Sequence, residues 1–242
     1  METAYAQKLN VRELEKANMV ISQFITSCSH AMRGPLKSIE GLVNLLYKRR
    51  DYSEIDEMAF LDLIGDTTLK MENMLDELEQ LLENSKREVT LKKIDCREVV
   101  DSVLSRYREE IIAGNVKVDT TIEEAVEFFS DGPRLYVVLS HLLENALQFQ
   151  DKDKDTHHIH FTIQTTRQHG TLMISDNGIG INAEEQGKIF QLFYRATEKS
   201  SGAGVGLYVA REAVEKMGGS IYVESMPGKG SVFGVTLPNL AA

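Results

Sequence analysis

The stretch Phe24-Ile-Thr-Ser-Cys-Ser-His30-Ala-Met-Arg33-Gly-Pro-Leu36 decides how the N-terminal third of the chain is read. Extended in both directions, its apolar residues recur at steps of three and four: Leu14, Ala17, Ile21, Phe24, Cys28, Ala31, Pro35, Ile39, Leu42 and Leu46. That spacing makes one stripe of a long α-helix, the seam of a packed helical bundle. His30 stands two residues beyond Cys28, roughly 200° round the helix, so its imidazole is expected to point away from the seam. Four positions on, Gly34-Pro35 interrupts the pattern. Proline has no N–H for the carbonyl of residue 31, and its ring crowds that carbonyl. The residues describe an outward-facing histidine one turn ahead of a bend, and an ordinary solvated histidine beside a kink fits them equally well.

Working outward, residues from about Ala4 to Lys48 read as one helix, which Asp51-Tyr52-Ser53 breaks. A second helix runs to about Ser85, with Phe60, Ile64, Thr67, Met71, Met74, Leu78 and Leu81 stepping alternately by four and three. Two such helices joined by a short turn cannot bury both seams alone. A homodimer closing a four-helix bundle is the expected solution; a monomeric hairpin packed on the rest of the chain is the other. The texture changes at Lys86-Arg87-Glu88, which divides the chain into an expected helical hairpin, 1–88, and a second domain, 89–242.

Composition narrows the classes. At 42% hydrophobic and 26% charged residues, with only four prolines, the chain can build a sizeable core. A net charge of −10 argues against a nucleic-acid partner and against a polybasic membrane surface. No apolar run approaches the ~20 residues of a membrane span, and no signal-peptide pattern opens the sequence. A cytoplasmic setting is expected, with membrane attachment only through a part of the protein outside this sequence or through a partner. Cys28 and Cys96 have no redox or metal spacing, in keeping with a reducing compartment. His157-His158-Ile159-His160 is the one histidine cluster. Ile159, Phe161 and Ile163 alternate with polar residues, so the cluster reads as a half-buried strand rather than a metal site.

The second domain mixes helices with antiparallel hairpins. Leu91–Ile94 reads as a short strand, and Asp95 as the N-cap of a helix reaching about Ile112. Strands are expected at Lys117–Thr121 and Val126–Phe129, and a helix at Gly132–Phe149. Lys152-Asp-Lys-Asp155 reads as a solvated loop, followed by strands Ile159–Thr165 and Thr171–Ser175 around a turn at Gly170. A helix ending near Met217 and a hairpin, Ile221–Glu224 with Val232–Leu237, complete a two-layer α/β sandwich with helices on one face of the sheet.

Three segments carry potential chemistry. On the Gly132–Phe149 helix, Leu135, Val138, Leu139, Leu142, Ala146 and Phe149 form an apolar stripe, while His141, Asn145 and Gln148 make a polar line that by itself reads as ordinary solvent exposure. Asp176-Asn-Gly178-Ile-Gly180-Ile follows a strand directly; its glycines permit positive φ and close approach of backbone to a ligand, and its aspartate can accept a hydrogen bond from an adenine amino group. Gly202-Ala-Gly204-Val-Gly206-Leu207 opens a helix, whose free N–H groups and positive dipole end suit phosphates. Between them, Ile189-Phe190-Gln-Leu-Phe193-Tyr-Arg195 offers two aromatics to pin a lid and an arginine for phosphate charge.

Together these segments resemble the bacterial sensor histidine kinases of two-component systems. Ser29, His30, Arg33, Pro35 and Leu36 match the H-box, usually Ser-His-Glu-Leu-Arg-Thr-Pro-Leu. Leu-Leu-Glu-Asn145-Ala, Asp176-Asn-Gly-Ile-Gly, Phe190-x-x-Phe193 and Gly202-x-Gly-x-Gly-Leu207 match the N, G1, F and G2 boxes in order. The resemblance implies a mixed-sheet Bergerat fold of the GHKL ATPase superfamily, binding ATP and Mg2+. It implies that His30, with Arg33 beside it, takes the γ-phosphoryl group and passes it to an aspartate of a response-regulator receiver domain. Asn145 matches the magnesium ligand, Asp176 the adenine-reading carboxylate, with Gly178 and Gly180 beneath the nucleotide and Phe149 against the base. Arg195 corresponds to a phosphate contact, and Gly202, Gly204, Gly206 and Leu207 to the lid hinge and helix start around the phosphates.

Four positions depart from that pattern. Ala31 replaces the acid that orients the histidine, an assistance typically worth ~10²–10⁴-fold. A neutral imidazole already offers a lone pair at pH 7, so slowed rather than abolished autophosphorylation is expected. Gly34 lacks the hydroxyl or amide used in dephosphorylating the regulator, so phosphatase activity is expected to be weak. His141 replaces an asparagine and Gln148 a lysine, the latter a charge-assisted contact of ~1.5–3 kcal/mol. Two other readings remain open: a nucleotide-binding pseudokinase acting as a dimeric scaffold, and an ATPase or serine kinase of the same superfamily.

Overall fold

The computed structural model describes residues 2–48, 54–197 and 204–240. The chain divides into two compact units, Met1–Met74 and Leu75–Ala242.

In the first unit, α1 (Glu2–Lys48) is a single helix that continues through Pro35. Helix α2 (Glu54–Lys86) begins in this unit and ends in the second. The expected break at Asp51–Ser53 lies outside the described residues. Of the seam residues with described side chains, Phe24, Cys28, Ala31, Pro35, Ile39, Leu42 and Leu46 are all half-buried. Along α2, Phe60, Ile64, Thr67 and Met71 are half-buried and Met74, Leu78 and Leu81 are buried, as the steps of four and three require. No helix among the described residues is long and apolar enough to cross a membrane.

The second unit opens with β1 (Lys92–Ile94), paired antiparallel with β3 (Phe128–Ser130). Asp95 caps α3 (Cys96–Arg106), its carboxylate accepting from the Glu98 N–H at 3.0 Å. The helix expected to reach Ile112 stops at Tyr107, and α4 (Arg108–Ala113) follows. The stripe of Cys96, Val100 and Val103 is buried, whereas α4 buries none of its residues. With no apolar face to hold it, the segment leaves the core at the turn where Tyr107 packs.

Five strands form a mixed sheet in the order β2-β4-β5-β7-β6. Strand β2 (Val116–Glu124) runs parallel to β4 (His157–Thr165), and the remaining pairings, with β5 (His169–Asp176), β7 (Gly230–Pro238) and β6 (Ser220–Met226), are antiparallel. The parallel pair needs a crossover, which β3 and α5 (Gly132–Gln148) supply. The short helix α6 (Ala183–Gln186) follows β5, and helices α5, α3 and α7 (Gly206–Lys216) pack together. The core joins Phe161, Ile163, Leu172, Ile174, Phe233 and Val235 of the sheet to Leu135, Leu139, Leu142, Ala213 and Val214 of the helices. Ile159 is buried and His158 exposed, as the strand reading of the histidine cluster requires.

Gly170 is not at the turn. The chain reverses at 166–168, where Thr166 and His169 share hydrogen bonds, and Gly170 sits inside β5 paired with Thr165 and Leu237. A Cβ there would lie 2.8 Å from the Phe128 ring, so the glycine serves a packing contact.

Arg134, in the first turn of α5, is buried. It donates to the carbonyls of Asn84, Arg87 and Glu88, to Asn84 Oδ1 and to Asp131 Oδ2. Those carbonyls at the end of α2 have no partners within the helix. Arg134 supplies them, and so binds the end of α2 to the base of α5.

Candidate functional site

His30 lies on the exposed side of α1, with Arg33 also exposed one turn on. Ser29 Oγ donates to the Ile25 carbonyl at 2.8 Å, a bond back along the helix. A side chain built at Gly34 would meet no atom within 4 Å. Its missing hydroxyl is therefore not a steric necessity.

The second unit contains a cavity of about 240 Å3. One wall is the polar line of α5, His141, Asn145 and Gln148, ending in Phe149. The sequence leaves that line open to solvent, but His141 is buried and Asn145 and Gln148 are half-buried. The floor is Asp176 with Ile179, Gly180 and Ile181. Opposite stand Ile189 and residues 194–197, and the start of α7 closes the far end with Gly204, Gly206 and Leu207. Glu77, from the end of α2 in this unit, also lines it.

The turn after β5 has room for glycine alone. A Cβ on Gly178 would lie 2.2 Å from the Phe149 carbonyl oxygen; one on Gly180, where φ is +71°, would lie 2.1 Å from that of Met226. Gly178 is buried behind the lining rather than in it. Its N–H donates to Asp176 Oδ1 at 2.7 Å. Burial raises the Asp176 carboxyl above its ordinary value, against the pull of the Gly178 and Ser231 N–H groups and the Lys154 charge. Asp176 thus offers a preset acceptor among Phe149, Ile179, Ile181 and Ile189, surroundings suited to a flat base whose exocyclic amine donates.

The other end of the cavity suits anions. Helix α7 is 11 residues long, its first two residues, Gly206 and Leu207, line the cavity, and a helix N-terminus carries unpaired N–H groups. A Cβ on Gly206 would come 2.9 Å from His141 Nδ1, so glycine lets the helix start lie directly against the imidazole. His141 Nδ1 is 3.7 Å from Glu144 Oε2. Glu77 Oε2 is buried and has no hydrogen-bond partner among the described residues. Burial pushes its carboxyl up to about 7, opposed by His141 and reinforced by Glu144. Asn145 supplies one neutral oxygen, which fits a Mg2+ held mainly by phosphate and water.

Of the two expected pinning aromatics, Phe190 is in the core, edge-on to Phe233 at 6.3 Å. Phe193 instead adopts a left-handed φ of 62°, and its N–H donates to the Gly204 carbonyl at 2.8 Å. Gly204, at φ +76°, abuts the Phe193 and Tyr194 backbone. That bond ties the two ends of the Arg195–Gly204 segment together. Gly202 lies outside the described residues. The cavity therefore gathers Asn145, Phe149, Asp176, Gly180, Arg195, Gly204, Gly206 and Leu207, while His30 and Arg33 belong to the other unit.

Residues 130–241 match the family of histidine kinase-, DNA gyrase B- and HSP90-like ATPases. The methanogenesis regulatory histidine kinase FilI of Methanothrix harundinacea is 30% identical over 231 residues, 94% of this chain and 26% of that protein. Residues 130–241 thus carry this ATPase domain, and nearly the whole chain is similar to histidine kinases. The matched ATPase domain implies ATP binding, and it spans the cavity residues from Asn145 to Leu207. Histidine kinase ThkA, solved in complex with the response regulator protein TrrA, shares the fold with a TM-score of 0.74 at 21% identity, over 93% of this chain and 64% of that one. Histidine kinase AdeS of Acinetobacter baumannii gives 0.63 at 19% identity, over 88% and 98%. The chain spans 26% to 39% of curated relatives such as FilI.

Sequence reading missed four contributors to the cavity, Tyr194, Glu185, Glu77 and Ser231. Tyr194 donates its hydroxyl to Glu185 Oε2; Tyr194 stands between Phe193 and Arg195 with no motif role of its own, and Glu185 lies in a short polar helix with none. Glu77 gives no signal, because its α2 position falls within a regular heptad. Ser231 carries no motif, and only the pairing of β5 with β7 sets it opposite Asp176.

Proposed function

We propose that this chain is the kinase core of a sensor histidine kinase, autophosphorylating His30 from Mg-ATP and passing the phosphoryl group to a receiver-domain aspartate of a response regulator. The observation carrying this reading is the Asp176 carboxylate preset by the Gly178 N–H at the floor of a cavity whose far end is a helix N-terminus. Asp176 accepts from the adenine amine, Phe149 packs on the base, and Gly178 and Gly180 let the backbone approach it. Arg195 and the backbone of Gly202, Gly204, Gly206 and Leu207 surround the phosphates. Asn145 would hold Mg2+, which when bound would supply positive charge against the phosphates.

His30 uses an imidazole nitrogen lone pair to bond the γ-phosphorus. The bond to the β-phosphate oxygen breaks, ADP leaves, and the imidazole proton passes to water, since Ala31 provides no base. Arg33 stands beside the new phosphoryl charge. The functional division falls at 1–88 and 89–242, the first part pairing with a second copy as a four-helix bundle in the cytoplasm. Phosphatase activity is weak because Gly34 positions no water.

Incubation with γ-labelled ATP and Mg2+ tests this. Acid-labile, base-stable label that disappears in His30→Gln is the expected result. ATP binding without label would instead make the chain a pseudokinase scaffold, and acid-stable label on a serine a serine kinase.

A further inference from the structure

Lys154 lies in the connection between α5 and β4, within the charged run that reads as a solvated loop. In the folded unit its ammonium is directed at backbone instead. It donates to the carbonyls of Asn177 at 2.6 Å, Gly178 at 3.3 Å and Gly228 at 2.8 Å, with Asp151 Oδ2 at 3.5 Å as counter-charge. Each of its three N–H donors thus meets one carbonyl. Two of those carbonyls belong to the turn that follows Asp176, and the third to the β6–β7 turn on which Gly180 packs. Three carbonyl oxygens aimed at one point repel unless a compact cation sits among them. Other bonds on this turn join neighbours in pairs: Asn177 Nδ2 to the Thr156 carbonyl, the Ile179 N–H to the Phe149 carbonyl, and the Gly228 N–H to the Ile179 carbonyl. Lys154 gathers three segments at once.

We infer that Lys154 is a positioning residue for base recognition, its ammonium clamping the 176–180 turn to the β6–β7 turn so that the Asp176 carboxylate and Gly178 N–H hold the geometry a purine amine requires. This rests on the nucleotide reading proposed above. The clamp acts from outside the cavity, and arginine, a planar fork rather than a point charge, does not reproduce it.

The test measures Mg-ADP binding to the full chain by calorimetry, with thermal melting of each variant. Lys154→Met keeps the stem without the donors, and Lys154→Ala leaves a slot that n-propylammonium refills. Both variants are expected to bind ADP about tenfold more weakly while melting within a few degrees of the native chain. Added n-propylammonium restores ADP binding to Lys154→Ala, whereas tetramethylammonium, lacking N–H donors, does not. Native-like affinity in Lys154→Met, beside lost affinity in Asp176→Asn, overturns the inference and leaves the nucleotide site standing. Weak binding that falls in step with the melting temperature and ignores the amine also overturns it, since the lysine is then only structural. A native chain that binds no ADP removes the nucleotide reading itself, and this inference with it.

Discussion

Replacing Asp176 by asparagine changes almost no volume, so its effect isolates charge and hydrogen-bond direction. The Asp176 carboxylate accepts the Gly178 N–H at 2.7 Å and a further N–H from Ser231. An asparagine must turn its NH2 toward one of these donors or toward the adenine amine, and either choice sets donor against donor. One lost charge-assisted bond is worth about 1.5–3 kcal/mol, which converts to a Kd for ADP weakened roughly 10- to 150-fold. Folding responds differently. Burial raises the Asp176 carboxyl, so ionisation is harder in the folded than in the unfolded chain and holding the charge at neutral pH costs stability. A neutral asparagine is therefore expected to leave the melting temperature unchanged or higher. Calorimetric ADP titration paired with thermal melting reads both quantities. Affinity within twofold of the native chain refutes the reasoning, and so does weak binding accompanied by a large fall in melting temperature.

Three further perturbations follow from particular contacts. Arg134→Met leaves Asp131 buried without its partner and frees the carbonyls of Asn84, Arg87 and Glu88; breaking such a pair costs about 3–5 kcal/mol, so melting should fall by roughly 10 °C, and a change of under about 2 °C contradicts the clamp. Glu77, held at about 7 against an ordinary 4.5 chiefly by burial, keeps its proton in the folded state up to about pH 7. Its contribution to stability therefore falls as pH rises from 4.5 to about 7 and then levels, an effect of at most about 3 kcal/mol. Glu77→Gln should accordingly stabilise the chain above pH 7 and change nothing below 4.5; equal denaturation midpoints at pH 8 would refute that. Ala31→Glu restores an acid beside His30 and should raise the initial rate of autophosphorylation at least tenfold, toward the ~10²–10⁴ typical of proton-transfer assistance; an unchanged rate means another group already serves as base.

The parts of the molecule legible in the sequence are those fixed by local periodicity or by backbone conformation. The α1 seam, the Asp95 cap, the alternation at Ile159–Ile163 and the glycines after Asp176 all express constraints acting within a few residues. Contributions that depend on a distant partner were not legible. Arg134 looks like an ordinary helix residue until the end of α2 reaches it. Lys154 sits in Lys-Asp-Lys-Asp, a pattern identical to a solvated loop, and only the β6–β7 turn, more than seventy residues on, makes it a clamp. The stop at Tyr107 has no glycine or proline to announce it, because what ends there is the core surface available to α3. His141 reads as polar exposure but is buried, since α7 can approach it only through Gly206.

The claim on which the mechanism depends is that the phosphoryl group from ATP ends on an exposed imidazole of α1. The most direct measurement is mass-spectrometric mapping, at neutral to mildly alkaline pH, of the chain after brief incubation with Mg-ATP. The account predicts one phosphoryl group on His30. Modification of the adjacent Ser29 hydroxyl, or of any other residue with His30 unmodified, would contradict it.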